Sequence, residues 1–327
     1  MAAKYTSKTT GAEVAKDLSA HIRGKTVLIT GVSPGSLGAK FAETIVPHGP
    51  ALLILAGRDL SKTQATLAAL EPAASASATP VAFKTLQLDL ASLGAVRRAA
   101  AEVLSWSDVD HVDVLVNNAG VMAQPFALTA DGVESQFAAN HLGHFLFTNL
   151  LLKDRILASA APRVVSVSSA GHRYNGVRWG DVNFATPDSY DKWRSYAQSK
   201  TANMLFAVGL ADKLGEKGLV AASLHPGIRY VETHAGMAMT IERSVGLKFC
   251  RPDYPFMSGF RDIEQGIATH VLTAFSPDIK DNNGKYFLDC RPADPYEHEV
   301  LPWATGRIEA DMLWKLSEEL VGEKFEY

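Results

Sequence analysis

The sequence has little cysteine, little net charge and no long apolar run, and each shortage excludes a class of protein. Two cysteines, Cys250 and Cys290, cannot form a disulfide framework, which favours a reducing compartment. A formal net charge of -3 provides no basic field, so no nucleic-acid partner is expected. The first 20 residues lack the apolar core of a signal peptide, and the longest uncharged stretch (135–152) is too polar for a membrane span. A cytoplasmic location is therefore predicted.

Short apolar runs alternate with helical patterns along the whole chain, without a repeat or a linker that would divide it. Strands are predicted over 25–30, 51–56, 82–88, 112–116, 163–168, 220–224 and 286–288. Helices are predicted over 13–22, 38–48, 60–70, 93–105, 132–152, 195–214 and 309–320, and a solvated loop over 71–80. This alternation predicts one α/β domain, a Rossmann-type doubly wound parallel sheet. The flanking parts are an N-terminal extension (1–20) and a C-terminal extension (291–327).

A glycine-rich turn joins the first predicted strand to the first helix. It runs from Thr30 to Gly38 and reads TGVSPGSLG. Its glycines permit a tight turn and a close approach to a pyrophosphate, which the amino end of the following helix attracts. An ordinary strand–helix loop is the alternative. The residues predicted to hold the cofactor here are Gly31, Ser33, Ser36, Leu37 and Gly38.

The ends of the second and third strands predict the form of the nicotinamide cofactor. Arg58 follows the second strand, where NAD-binding proteins usually carry a carboxylate, and a guanidinium there can grip the 2′-phosphate of NADP(H). Ser33 and Lys62 are positioned in the sequence to assist it, whereas Asp59 is expected to cap the next helix. Asp89 and Leu90 follow the third strand and are predicted to contact the adenine. The alternatives are a surface arginine and a turn aspartate.

Four polar residues form the predicted catalytic set. Tyr196 and Lys200 share one face of a helix, and the lysine, with an oxidised nicotinamide, would lower the phenol pKa. A hydroxyl at the end of strand five, Ser168 or Ser169, would hold the substrate oxygen. Asn140, inside a buried helix, needs a polar partner and is predicted to hold a relay water. The alternatives are a surface tyrosine and a strand-end cap, and no metal site is predicted.

Together these motifs resemble the short-chain dehydrogenase/reductases, in particular the retinol-dehydrogenase-like branch and its fungal members. The matching segments run from about residue 24 to 235 and include NNAG at 117–120, VSVSSAGH at 165–172 and HPG at 225–227. The resemblance implies that Tyr196 is the general acid or base, that Ser169 orients the carbonyl with Ser168 as the fallback, and that Lys200 also binds the nicotinamide ribose. It further implies cofactor contacts from Asn118, Ala119, Gly120, Pro226, Gly227 and Ile228.

The sequence departs from the family pattern at three places. The glycine turn is one residue longer than usual, and Ser36 stands where a glycine is common. Tyr196 comes 27 positions after Ser169, further than in the simplest members. The threonine expected near the nicotinamide is displaced to Thr233, so its role is open.

Residues 228–262 are predicted to form a substrate lid. Their methionines and aromatic residues suit an apolar, bulky carbonyl or alcohol, and plain core packing is the alternative. Reduction of a ketone or aldehyde by NADP(H), in secondary metabolism, is the predicted activity; a non-catalytic NADP(H) sensor and an enone reductase are the alternatives. The C-terminal extension is expected to cover the pocket or a subunit contact, with a homodimer or homotetramer left open.

Overall fold

The computed structural model describes residues 4–77, 79–186, 188–229, 260–298 and 300–327. The main sheet contains β1 (Thr26–Thr30), β2 (Leu52–Gly57), β3 (Ala82–Gln87), β4 (Val114–Asn117), β5 (Arg163–Val167), β6 (Val220–Leu224), β9 (Tyr286–Leu288) and β10 (Arg291–Pro292). A separate parallel pair is formed by β7 (Ile228–Arg229) and β8 (Phe260–Arg261). The central strands are buried throughout, as their unbroken apolar sequences predict.

Twelve α-helices lie in the described ranges. They are α1 (Gly11–Asp17), α2 (Ser19–Ile22), α3 (Leu37–Ile45), α4 (Leu60–Ser75), α5 (Leu93–Ser105), α6 (Ser135–Phe137), α7 (Gly143–Leu151), α8 (Lys192–Leu214), α9 (Ile263–Gly266), α10 (Ala268–Phe275), α11 (Pro295–His298) and α12 (Arg307–Val321). Among the described helices, none combines the length and the apolar character needed to cross a bilayer.

The sheet order is β10-β9-β6-β5-β4-β1-β2-β3, and all neighbours are parallel except β9 and β10. One core lies between the sheet and α5, α7, α8 and α12, and a second lies between the sheet and α1, α3, α4 and α10. The Rossmann-type doubly wound fold predicted from the sequence is therefore confirmed. The strand order reverses between β1 and β4, and ligands bind such sheets at the crevice where the order reverses.

The predicted loop over 71–80 was wrong in its first half. Helix α4 continues to Ser75 and includes Pro72 in its last turns. Its alanines have high helix propensity, and Leu70 is fully buried, so packing holds the helix past the proline.

The predicted long helix over 132–152 was wrong at its start and in its continuity. Gly132 has a φ of 76°, and the helix begins at Ser135 because Glu134 caps it. Residues Ala138–Leu142 form a π-helical turn between α6 and α7. The wider hydrogen-bonding of this turn carries no signature in a single sequence.

Both extensions belong to the packed structure. Val14 and Ala15 on α1 are fully buried, and Gly11 lies directly against Ile267. At the other end of the chain, Trp314 on α12 packs against Gly209 on α8. The Tyr327 hydroxyl donates to Asn149 Oδ1 at 2.7 Å.

Candidate active site

The glycine-rich turn fits tightly against the end of β4. A Cβ added to Gly31, whose φ is 77°, would lie 2.7 Å from Ala119 Cα, and one added to Gly38 would lie 2.5 Å from the Gly31 carbonyl oxygen. Ser36 caps α3 by accepting from the Ala39 amide, and its hydroxyl donates to the Gly31 carbonyl. The extra residue is accommodated in a turn in which the Ser36 amide donates to the Ser33 carbonyl. The unusual sequence therefore keeps an open helix amino end beside the sheet crevice.

Thr30 and Asn118 lock β1 to β4 beneath this turn. The Thr30 hydroxyl oxygen accepts from the amides of Asn118 and Ala119 at 3.0 and 2.9 Å. Asn118 Nδ2 donates to the carbonyls of Thr30 and Gly31 at 2.8 and 3.2 Å. The hydroxyl proton of Thr30 is left for His144 Nε2, 2.9 Å away, and His144 Nδ1 donates to the Asn140 carbonyl. A neutral imidazole, whose pKa burial lowers to about 4, therefore ties the cofactor turn to the π-helical turn.

At the end of β2, the cationic Arg58 is followed by Asp59, whose carboxylate caps the next helix. Asp59 caps α4 by accepting from the amides of Ser61 and Lys62 at 3.0 and 3.3 Å, as predicted. Arg58 is exposed, and within the described ranges its guanidinium has no hydrogen-bond or ion-pair partner. A charged hydrogen-bond donor is thereby available at the carboxyl end of β2.

A cavity of about 860 Å³ connects these features along the carboxyl ends of β1 to β4. The predicted cofactor residues that line it are Gly31, Ser33, Ser36, Leu37, Arg58, Asp89, Leu90, Asn118, Ala119 and Gly120. Lining residues that the sequence analysis missed include Gly57, Val121, Gln124, Phe126, Ser135 and Ala139. Asp89 uses one carboxylate oxygen to accept from the Ala91 amide at 3.0 Å. The close-packed glycine turn, the helix amino end and the Arg58 guanidinium fit a nicotinamide dinucleotide.

Among the described residues, the other residues predicted to contact the cofactor do not line this cavity. Gly38 lies beneath the turn, and Tyr196 and Lys200 lie beyond Gly120, where an added Cβ would be 3.3 Å from Lys200 Nζ. Pro226 and Gly227 follow β6. The Pro226 carbonyl oxygen and the Leu37 side chain both lie next to Gly266. Ile228 pairs with Phe260 at the start of the predicted lid. Residues 230–259, which hold Thr233 and Cys250, lie outside the described residues.

Lys200 and Tyr196 lie together on α8. Lys200 is 4% exposed, its Nζ donates to the Val167 carbonyl at 3.1 Å, and it lies 5.6 Å from the centre of the Tyr196 ring. Burial lowers the pKa of Lys200 to about 8. Burial raises the pKa of Tyr196, and a hydrogen bond with the Ser169 hydroxyl lowers it in part. The expected lowering of the phenol pKa by Lys200 is therefore not seen in the protein alone, because desolvation of the phenol dominates.

The two serines at the end of β5 have different surroundings. Ser168 is buried and its hydroxyl donates to the Lys200 carbonyl at 2.7 Å. Ser169 is partly exposed, its hydroxyl oxygen accepts from the Gly171 amide at 3.0 Å, and this hydroxyl and the Tyr196 ring both lie beside Gly171. A Cβ on Gly171 would lie 3.0 Å from Tyr196 Cε1, so the turn after Ser169 fits closely on the phenol ring. This geometry favours Ser169 over Ser168 as the hydroxyl facing a substrate.

Asn140 joins the π-helical turn to two neighbouring segments. Its Oδ1 accepts from the Val121 amide at 2.7 Å, and its Nδ2 donates to the Val121 carbonyl and to Ser199 Oγ, both at 2.9 Å. Both amide hydrogens are thus used within the protein. A relay water at this position would have to bind a remaining oxygen lone pair of Asn140.

A compact group of contacts around Asp181 stabilises the long interval between Ser169 and Tyr196. The Asp181 carboxylate accepts from the Ala185 and Thr186 amides and pairs with Arg178 at 2.9 Å, which holds its pKa at about 2. Arg178 also lies over the Phe184 ring, 4.5 Å from its centre. These contacts stabilise the insertion independently of the substrate.

Comparison with known proteins identifies the family of this chain. The short chain dehydrogenase family matches residues 25–243. Retinol dehydrogenase 14 from Mus musculus is 38% identical, covering 92% of this chain and 87% of its own, and the short-chain dehydrogenase/reductase prx1 of Penicillium rubens is 35% identical, covering 92% and 86%. The crystal structure of an uncharacterised protein from Mycobacterium paratuberculosis has a TM-score of 0.67 and 31% identity, covering 94% of this chain and 98% of that one. The chain belongs to the short-chain dehydrogenase/reductase family, in its retinol-dehydrogenase-like branch.

Proposed function

We propose that this oxidoreductase uses NADP(H) to interconvert a carbonyl and an alcohol on an apolar small molecule, working chiefly as a reductase. The observation that carries the proposal is the grouping of Tyr196, Ser169 and Lys200 beyond Gly120, at one end of the cavity along β1 to β4. When bound, the reduced nicotinamide supplies the hydride. The residues of this chain supply the proton, the orientation of the carbonyl and the fixed charge.

Tyr196 is the proton donor in this proposal. The Ser169 hydroxyl lies near the phenol and lowers its pKa, so a carbonyl oxygen bound between the two hydroxyls would meet two donors. The raised phenol pKa keeps Tyr196 protonated at neutral pH, which suits reduction. Lys200 holds a cationic or readily titrated ammonium near the ring, which stabilises the phenolate left after the proton is given.

Tyr196→Phe keeps the ring and removes the proton. We expect turnover to fall by a factor on the order of 10² to 10⁴ while NADPH binding persists, since a positioned acid contributes about that much. Initial rates and NADPH fluorescence titration measure the two properties. Tyr327→Phe is the matched control, because its hydroxyl bonds Asn149 far from Ser169, and it should keep its turnover. Turnover near the wild-type rate in Tyr196→Phe would remove Tyr196 from this role.

Arg58 supports NADP(H) over NAD(H). Its guanidinium lines the cavity without a partner in the described ranges, and the competing Asp59 carboxylate is used in the α4 cap. Lys62 and Ser33 line the same end. Paired charge-assisted hydrogen bonds to a 2′-phosphate account for the free arginine.

Arg58→Ala should weaken NADPH binding by about 10- to 100-fold and NADH binding by less than about threefold, because only NADPH carries the second phosphate. Dissociation constants for both cofactors give the comparison. Arg98→Ala, a change at an exposed arginine on α5, serves as the control. Equal losses for NADPH and NADH would contradict the assignment.

The substrate class rests on apolar surface near the cavity. Phe126 lines it and is 49% exposed, and Met122 and Leu128 in the same segment are also exposed. The proteins named retinol dehydrogenases share this branch, so a retinoid is one candidate beside a steroid, a polyketide-derived ketone and a lipid aldehyde. NADPH oxidation with retinal, acetophenone, decanal and an enone such as cyclohexenone distinguishes these classes. Tight NADPH binding without turnover of any probe would favour the sensor, and turnover of the enone alone would favour the enone reductase.

Three further expectations from the sequence stay predictions. They are the cytoplasmic location, the role in secondary metabolism and the homodimer or homotetramer. The curated relatives include a protein named as chloroplastic from Brassica napus, so location differs among similar chains.

A further inference from the structure

The turn that carries Ser169 is held from behind by a buried histidine. His172 is fully buried, and its Nδ1 lies 2.8 Å from the Ser169 carbonyl oxygen. A carbonyl oxygen only accepts, so Nδ1 carries the proton and donates. The Ser169 hydroxyl in turn accepts from the Gly171 amide within the same turn. The imidazole therefore fixes the backbone from which the Ser169 hydroxyl projects.

The C-terminal extension reaches this histidine through one tryptophan. Trp303 Nε1 donates to the His172 carbonyl at 3.1 Å, and the indole packs on Gly176, where an added Cβ would lie 3.4 Å from the ring. Val300 and Ala304, on either side of Trp303, are buried with Met204 and Tyr286. The tryptophan is thus anchored to α8 and β9.

We infer that Trp303 is a positioning residue that sets the Ser169 hydroxyl against the Tyr196 phenol through His172. The inference rests on the proposed roles of Ser169 and Tyr196. The turn has a further contact with α8, since the Thr201 hydroxyl donates to the Asn175 carbonyl at 2.8 Å and lies 3.3 Å from the His172 carbonyl oxygen. Loss of the indole hydrogen bond therefore loosens the turn and does not release it.

A displaced Ser169 would affect proton transfer by changing the acidity of Tyr196. The bond from Ser169 lowers the phenol pKa against the effect of burial, so a displaced Ser169 leaves the phenol a weaker acid. The other titratable groups facing the phenol are Lys200 on α8 and Tyr286 on β9. Arg173 and Asp289 act on Tyr286. His172 itself stays neutral at pH 7, because burial lowers its pKa to about 4.

Trp303→Phe tests the inference, because it keeps an aromatic ring over Gly176 and removes the indole N–H. We expect kcat to fall by about twofold to tenfold, the effect of one neutral hydrogen bond, with NADPH binding unchanged within twofold. The pH dependence of kcat should shift upward by roughly half a unit, since one pH unit corresponds to a tenfold change. The measurement uses the carbonyl probe that the wild-type enzyme reduces fastest among retinal, acetophenone and decanal.

A pair of substitutions at His172 supplies an independent test. His172→Asn retains a donor near the position of Nδ1, whereas His172→Phe keeps a ring without one. The asparagine variant should retain the wild-type pH profile, and the phenylalanine variant should show the same upward shift as Trp303→Phe. A wild-type profile in His172→Phe would overturn the inference even if Trp303→Phe fails to fold.

Trp314→Phe is the matched control in the same extension. Its indole donates to Glu318 Oε1 at 3.1 Å, away from the Ser169 turn, so its loss should lower the melting temperature without moving the pH profile. A wild-type profile in Trp303→Phe, together with a shifted profile in Ser169→Ala, would overturn the positioning role and leave the proposed function standing. Undiminished turnover in Ser169→Ala would instead contradict the proposed function itself.

Discussion

At the scale of single residues, the site contains a cation that the fold tolerates at a cost. Lys200 is almost fully buried, and its pKa falls to about 8 because the charged form loses its hydration. Lys200 Nζ donates to the Val167 carbonyl, which also accepts from Asn203 Nδ2 at 3.0 Å. The carbonyl therefore keeps a partner without the lysine, and the buried ammonium is not required to satisfy it.

Lys200→Met should stabilise the protein at pH 7 while abolishing turnover. The folded pKa lies below the unfolded value, so the unfolded state binds more protons between about pH 8 and 10.5, and wild-type stability rises with pH across that window. The methionine variant should lack this rise. Urea unfolding at pH 7 and pH 10 measures both effects. A variant less stable than the wild type at pH 7, with an unchanged pH dependence, would contradict the interpretation.

At the scale of elements, two helices begin in the same way and differ in what lies above their second residue. Gly38 is the second residue of α3, and Gly94 is the second residue of α5. A Cβ on Gly38 would meet a backbone carbonyl at 2.5 Å, whereas one on Gly94 would come no closer than 3.6 Å to a side chain of Arg98. The first glycine is required by close approach to the cofactor turn, and the second is not.

Gly38→Ala should destabilise the protein by about 1–3 kcal/mol and weaken NADPH binding, because the added methyl must displace the Gly31 carbonyl. Gly94→Ala should change stability by less than about 1 kcal/mol, in the stabilising direction, since alanine favours helix. Thermal unfolding and NADPH titration of both variants provide the comparison. Equal behaviour of the two would show that the turn can move.

The same scale shows what could be predicted from the sequence. Strands β1, β2 and β6 were located within one or two residues because their buried runs are apolar and bounded by turn residues. The π-helical turn around Asn140 could not be predicted, since it depends on a shift of backbone hydrogen bonds. The contact between Trp303 and His172 joins positions 131 apart, and no local pattern encodes it. The family resemblance favoured Ser169 over Ser168, and the surroundings of the two hydroxyls support that preference.

At the scale of the whole molecule, the carboxyl and amino edges of the sheet carry different kinds of contacts. The carboxyl edge carries the cofactor turn and the proposed catalytic set. At the amino edge, Asp113 accepts from the Thr26 amide at 2.8 Å and Ser159 Oγ at 2.6 Å, and pairs with Lys25 at 3.2 Å. Arg163 donates there to the Thr273 and Ser276 carbonyls at the end of α10. The buried polar contacts that stabilise the fold and the proposed catalytic set therefore lie at opposite edges of one sheet.

Asp113→Asn should lower the free energy of unfolding at pH 7 by about 2–4 kcal/mol, because it leaves buried donors without a charged acceptor. The hydrogen bonds and Lys25 hold the Asp113 pKa below its usual range despite burial, so this stability is present above pH 4 and is lost as pH falls through the folded pKa. The difference between wild type and variant should shrink in acid. Asp108→Asn, at an exposed pair with Lys84, should change stability little. A difference that persists at pH 2 would contradict the assignment.

The short parallel pair formed by β7 and β8 has a consequence for the segments on either side of it. Ile228 pairs with Phe260 and Arg229 with Arg261. This pairing holds the segment that follows β6 next to the segment that leads into α9, although the two segments are far apart in the sequence. Two distant parts of the sequence are thereby fixed in one register beyond the carboxyl end of β6.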